Sequence, residues 1–357
     1  MIIAKEAKIA LTILKQNGYE AYLVGGSVRD FLMNIKPKDW DIATNAKPLE
    51  IKAIFEKTID TGANFGTITV IINKMQIEIT TYRIDGEYKN NRHPTGVAFT
   101  TNLIEDLKRR DFTINAIAFD GETIVDPWGG REDITKKIIK GVGEPKKRFE
   151  EDALRMLRAI RFSCQLGFSI EENTLKAIKE KASLIENISK ERIQAELVKT
   201  IMSDYVQNMD MLSIININLS YKKIINKPKD LITRLYLLEF TKEEMKLFKF
   251  SNKEIKDTMY LKSSKKPQNE YEAKKLINKI GFQNWNRLEK LYNLNFPEIE
   301  NEPIFIKDLK ITGNDIIVYG IKGKKIGEIL NFLLDKVHKD PNLNEKNKLL
   351  AILEMLK

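Results

Sequence analysis

The sequence predicts an α+β protein: a strand-bearing N-terminal part followed by a mostly helical remainder. Two observations carry this. Before about residue 145, short β-type runs alternate with helical ones, and after it helix-period apolar patterns dominate, as in EEDALRMLRAIRFSCQLGF and IGEILNFLLDKV. In addition, 357 residues exceed what one ordinary hydrophobic core organises, so two to four domains are expected.

The first stretch, MIIAKEAKIALTILKQNG, is broken by Lys5, Glu6 and Lys8. It reads as an amphipathic helix offering Ile2, Ile3, Leu11 and Leu14 for burial, not as a signal peptide. Strand-like runs follow at AYLV (21–24), DWDIAT (39–44), TITVII (67–72), MQIEITTY (75–82) and INAIAFD (114–120), punctuated by Gly18, Gly62, Gly66, Gly86, Gly96 and Gly121. DGEYKNNRHPTG (85–96) is a polar interruption whose length points to a functional or mobile loop. KKPQNE (265–270) and NFPEIENEP (295–303) are plausible joints in the helical part. The expected division is a head at 1–145, a neck at 146–205, a helical body at 206–290 and a helical tail at 291–357.

Composition narrows the chemistry. Hydrophobic residues make up 42% and charged residues 31%, an ordinary globular balance, and no apolar run approaches a membrane span. The single cysteine, Cys164, excludes an internal disulfide and fits a buried small residue in a reducing cytoplasm. With only His93 and His338, neither a histidine-rich zinc site nor a Cys/His nucleophile is expected. Any metal should be a hard cation held by carboxylates. Net charge is +10, and sixteen Lys/Arg stand against eight Asp/Glu between Tyr221 and Ile280. Such a basic stretch suits RNA phosphates.

The strongest constellation is LVGGSVRDFLMNIKPKDWDIAT, residues 23 to 44. An apolar strand enters Gly25-Gly26-Ser27, and a helix starts near Ser27. Glycines permit close backbone approach, and a helix N-terminus attracts phosphate. Arg29 in the first turn can reach phosphate or sugar oxygens. Asp39 and Asp41, two apart on an expected strand, should project from one face, with Trp40 on the other in the core. Two adjacent carboxylates repel, and paired magnesium ions between them fit in-line nucleotidyl transfer.

GGSVRDFLMNIKPKDWDIAT resembles the signature of class II tRNA nucleotidyltransferases and their bacterial poly(A) polymerase relatives. LKRRDFTINAIAF (107–119), DPWGGREDI (126–134), EEDALRMLRAIRF (150–162) and SKERIQAEL (189–197) resemble the later motifs in order. ITGNDIIVYGIKGKKIGEIL (311–330) resembles the tail of bacterial members. The resemblance implies a polymerase-β-like head with Asp39 and Asp41 as the catalytic, magnesium-binding pair. It implies nucleotide binding at Gly26, Arg29, Arg110, Asp152, Arg155, Arg158 and Arg161. ATP and CTP are the implied substrates and the acceptor end of tRNA the implied partner, in the cytoplasm. Members adding only A or only CC, poly(A) polymerases and a non-catalytic RNA-binding scaffold are the alternatives. CC-only members tend to lack the loop near 86–94.

The residues from Glu150 onward make sense as a selecting helix. Glu150 and Glu151 favour its start, Gly167 its stop, and Leu154, Leu157 and Ile160 form an apolar stripe. Asp152 and Arg155, three apart, would present an acceptor beside a donor on one face. Adenine and cytosine offer the complementary order on their Watson–Crick edges, and guanine and uracil reverse it.

Overall fold

The computed structural model describes residues 3–86, 88–89, 93–94, 96–297 and 299–355. The chain divides into two compact units, Met1–Leu231 with Leu247–Lys249, and Ile232–Lys246 with Phe250–Lys357.

The first unit is built on a seven-stranded mixed sheet. Its elements are α1 (Lys5–Gln16), β1 (Ala21–Val24), α2 (Gly26–Leu32), β2 (Asp41–Thr44), α3 (Pro48–Ile54), β3 (Thr58–Gly62), β4 (Thr67–Ile72) and β5 (Met75–Thr81). Two short strands, Ala118–Phe119 and Ile124–Val125, complete the sheet on the β1 side. β1 pairs antiparallel with β2, setting Val24 opposite Asp41, and β2 pairs parallel with β5, setting Asp41 beside Glu78. Period-2 alternation then sorts side chains. Leu23, Ile42 and Phe119 enter one core with Ala7, Ala10, Leu14 and Ile51 from α1 and α3. Val24, Ala43 and Ala118 enter another with Leu103 and Leu107 of α4 (Leu103–Lys108). Asp41 stands two residues before Ala43, so it shares the α4 side of the sheet.

Sequence and structure differ at several elements. β2 begins at Asp41, and Asp39 lies in a bend ahead of it, not on the strand. The expected strand over 114–120 is a 3-10 turn, Thr113–Asn115, followed by the two-residue strand. Thr58–Gly62, an edge strand of polar character, had no apolar run to announce it. Ile3, Leu11, Leu14 and Trp40 are buried as expected, while Ile2 lies outside the described residues. So do much of the 85–96 interruption and Arg92. Arg83 is paired with Asp85 at 3.3 Å and is mostly covered.

Downstream come α5 (Gly130–Lys136), α6 (Pro145–Glu151), α7 (Leu154–Leu166), α8 (Glu172–Lys181) and α9 (Lys190–Ile201). The helix expected to run through Asp152 is two helices. Asp152 is extended (φ −139°) and its carboxylate accepts the Leu154 N–H at 3.2 Å, so one helix closes and the next opens there. Leu154, Leu157 and Ile160 are buried, and α7 packs on α9. Cys164 is fully buried, and burial pushes its thiol up to about 12.

The second unit is helical, with one cluster around Trp285, Ile277 and Ile304 and another of Leu333, Leu334, Val337, Leu349 and Leu353. His338 is buried there, bonded to the Ile304 carbonyl at 3.0 Å. No helix among the described residues is long and apolar enough to cross a membrane.

The turn carrying Asn115 is fixed by a glycine contact. Asp126 accepts the N–H groups of Gly130 and Arg131 at 2.7 and 2.9 Å, and a Cβ at Gly130 would fall 2.2 Å from the Thr113 carbonyl oxygen. Gly129 has open space but a left-handed backbone (φ +72°). Gly130→Ala should therefore destabilise the first unit by more than about 2 kcal/mol, and Gly129→Ala by about 1 kcal/mol. Chemical denaturation of both variants checks the order, and equal losses would mean that backbone conformation and not the Thr113 contact sets the cost.

Candidate active site

The start of β2, α2, the segment after α4, α7 and α9 together wall a cavity of about 610 Å³. All ten residues singled out in the sequence line it: Gly25, Gly26, Arg29, Asp39, Asp41, Arg110, Asp152, Arg155, Arg158 and Arg161. Its lining holds eight cationic side chains against four carboxylates, so it favours a polyanion.

Local sequence explains the placement. Gly25 has φ +72°, and a Cβ there would lie 3.4 Å from Arg110 Nη1 and 3.7 Å from Asp41 Oδ2. Glycine thus leaves room directly beside the carboxylate. Arg29 is buried. Its Nε and Nη2 donate to Asp30 at 2.9 and 2.7 Å, and its Nη1 donates to Asn115 Oδ1 at 2.8 Å. Arg155, Arg158 and Arg161, three residues apart, form the cavity-facing stripe of α7 beside its apolar one.

Asp41 is the most perturbed carboxyl of the site. Burial, reinforced by Glu78 and Asp39 and opposed by Arg110, pushes it up to about 6. A carboxyl that holds its proton this strongly is short of positive charge, which a divalent cation would supply. No group of three or more His, Cys, Asp or Glu side chains among the described residues forms a metal cage by itself. The Asp39–Asp41 pair fits magnesium, which takes one or two carboxylates and completes its shell with water and phosphate oxygens. Glu78, beside Asp41 across the parallel pairing, was missed in the sequence reading. A lone charge alternating with Ile77 and Ile79 was the signal for it.

The cations are held by carboxylates the sequence reading did not assign. Asp106, fully buried, accepts from Arg109 Nη2 at 2.7 Å and Arg110 Nη2 at 3.1 Å. Burial alone would raise it, but Arg110 and Arg109 hold it below the usual carboxylate range. Asp111 accepts from Arg158 Nε and Nη2 at 2.8 and 2.6 Å; burial raises it, but Arg158 together with Asn115 and Arg155 holds it at about 2. Arg161 is paired with Glu196 of α9. Arg110, Asp111 and Asn115 all come from RRDFTIN, so one short segment supplies a cation, its neighbour's counter-ion and the Arg29 partner.

Asp152 and Arg155 are each engaged with a partner of their own. Asp152 receives Arg192 of α9 through Nη1 and Nη2 at 3.1 and 2.8 Å. Arg155 donates to Glu151 at 2.8 Å and to the Arg109 carbonyl at 2.9 Å. Both line the cavity, but each has its own partner and they do not pair through their side chains. Arg192 lies within SKERIQAEL, where a basic residue on an otherwise ordinary amphipathic helix gave no sign of its target.

The family described as the poly A polymerase head domain matches residues 21–140, and a "probable RNA and SrmB- binding site of polymerase A" matches 167–213. A CCA-adding enzyme of a Geobacillus species is 54% identical over 187 residues, covering 52% of this chain and 46% of its own. The chain thus spans about half the length of such relatives. A CCA-adding enzyme of Pediococcus pentosaceus is 36% identical over 394 residues, covering 99% of this chain and 98% of its own. The crystal structure of the Bacillus stearothermophilus CCA-adding enzyme in complex with CTP aligns over 98% of this chain and 96% of its own, at 30% identity and a TM-score of 0.84.

The Asp41 environment generates a stability test. Its folded pKa lies above the unfolded value of 3.8, so the group costs the metal-free fold stability once pH rises through about 4 to 6. Asp41→Asn should stabilise the metal-free protein at pH 8 by about 1–3 kcal/mol, the upper figure discounted for partial exposure. The gain should vanish near pH 4. Thermal melts in a chelator across that range measure it, and a gain independent of pH would refute the charge origin.

Proposed function

Because the chain belongs to the CCA-adding enzyme family, we propose that it adds CCA to the 3′ end of tRNA from CTP and ATP without a nucleic-acid template. The observation that carries this reading is the convergence of all ten predicted residues on one cationic cavity. The CTP complex of its B. stearothermophilus relative supports a nucleotide as occupant. The proposed setting is the cytoplasm and the proposed cofactor is magnesium.

In this reading the terminal tRNA hydroxyl attacks the nucleotide α-phosphate, the bond to the β-phosphate breaks, and pyrophosphate leaves. Asp39 and Asp41 would hold the magnesium ions, which when bound would supply charge stabilisation to the phosphoryl group being transferred. Arg29, Arg110, Arg158 and Arg161 donate to the triphosphate, with geometry already set by their carboxylate partners. The Gly25–Gly26 turn lets the phosphates come close to backbone. Asp152 and Arg155 read the base edge. Asp152 accepts from the exocyclic amino group of adenine or cytosine and Arg155 donates to the adjacent ring nitrogen. Arg192 orients the Asp152 carboxylate for this through its two hydrogen bonds. The RNA duplex is recognised by shape and backbone, so every tRNA can serve.

Incubating tRNA that lacks its CCA end with CTP alone, ATP alone and both should give two, no and three added nucleotides respectively, read as product lengths on a gel. ATP-only extension of a tRNA ending in CC, with no CTP use, would replace the reading by A-addition. Long A tails would replace it by poly(A) synthesis. Asp39→Asn or Asp41→Asn should reduce the rate by on the order of a thousandfold while tRNA binding changes little. Retained turnover in either variant would remove the carboxylate assignment. Asp152→Ala should raise GTP and UTP incorporation relative to CTP by roughly tenfold to a hundredfold in single-turnover assays. An equal slowing of all four nucleotides would make Asp152 a support for Arg192 and not a reader.

A further inference from the structure

Phe162 is an aromatic residue in the wall of an otherwise ionic cavity. It sits on α7 between the cavity stripe and the core, with its side chain almost wholly covered. Three guanidinium groups converge on its ring. The Cζ of Arg161 lies 3.8 Å from the ring centroid, that of Arg29 5.2 Å and that of Arg158 5.5 Å. All fall within the roughly 6 Å over which a cation is drawn to an aromatic quadrupole. The ring is itself fixed by Phe112 in a T-shaped contact, centroids 5.8 Å apart at 83°. Arg29 comes from α2 while Arg158 and Arg161 come from α7, so the ring is where cations from two separate elements meet.

Three like charges around one point repel, and the site offsets this in two ways. Asp30, Asp111 and Glu196 each neutralise one arginine on its outer side. The ring acts differently, because it attracts all three without adding a negative charge. A carboxylate in its place would cancel part of the cationic excess that a polyphosphate needs. An aliphatic side chain of similar size would give the guanidinium groups an apolar surface with no electrostatic attraction.

We propose that Phe162 is a positioning residue: its ring is the common seat that gathers Arg29, Arg158 and Arg161 into the arrangement that receives the triphosphate of the incoming nucleotide. The inference rests on the nucleotidyl-transfer reading of the same cavity. It requires that the π electrons of the ring, not only its volume, set affinity for the triphosphate. Base selection, carried by Asp152 and Arg155, should be indifferent to it.

Replacing Phe162 in the full-length protein by mono-, di- and trifluorinated phenylalanine withdraws the negative potential of the ring face in steps while nearly preserving shape and raising hydrophobicity slightly. KM for both CTP and ATP, and the calorimetric Kd for inorganic triphosphate, should rise stepwise, reaching on the order of tenfold for the trifluorinated ring. The kcat should stay within about twofold, and the preference for C and A over G and U should be unchanged. Flat KM and Kd across the series would overturn the proposal and leave Phe162 a packing residue. So would a loss confined to kcat. The triphosphate titration needs no tRNA, so a stepwise Kd in a protein that fails to extend tRNA would sink the functional reading and keep the seat. A protein that extends tRNA with a flat series would do the reverse.

Discussion

Seven arginines face one cavity, and the structure around it is arranged to make that possible. Arg29 is held by Asp30, Arg109 and Arg110 by Asp106, Arg155 by Glu151, Arg158 by Asp111, Arg161 by Glu196 and Arg192 by Asp152. Several of these carboxylates are almost wholly buried, Asp106 at 1% and Glu196 at 6% side-chain exposure. Removing one would strand a buried cation, a loss of about 3–5 kcal/mol. The same pairs also join elements. Arg161–Glu196 and Asp152–Arg192 tie α7 and its N-terminal approach to α9, and Arg158–Asp111 ties α7 to the segment after α4. Site and fold are therefore held by one set of contacts.

The Asp41 position shows the opposite choice. Its neighbours are carboxylates, Glu78 across the sheet and Asp39 ahead of the strand, with Arg110 as partial compensation. Asp111 and Asp152 are neutralised by Arg158 and Arg192, whereas Asp41 is left with unmet demand for positive charge. The contrast separates residues that hold cations in place from those suited to hold a metal.

Much of this was legible in the sequence. AYLV and TITVII are strands as read, because apolar runs bounded by turn residues leave little choice of period. Trp40 went to the core even though Asp39 left the strand, since burying an indole outweighs extending a strand by one polar residue. What misled was local acid patterning. Glu150 and Glu151 read as a helix start, yet they end α6, where Glu151 serves Arg148 and Arg155. The missed residues share one property: Asp106, Asp111, Glu196 and Arg192 derive their roles from partners far along the chain or from burial, which spacing alone does not reveal. Thr58–Gly62 escaped because an edge strand needs no apolar face.

In the proposed reading, the Arg192 clamp on Asp152 bears on how tightly a base is retained. Asp152 already accepts three hydrogen bonds, two from Arg192 and one from the Leu154 N–H, so one more donor adds little net free energy. A mismatched base, by contrast, sets acceptor against acceptor in a desolvated pocket, and that cost is undiminished. Discrimination in such an arrangement comes from rejecting wrong occupants more than from gripping right ones. Under the proposed function, weak retention would suit a catalyst that changes from one base to another between successive additions to the same primer.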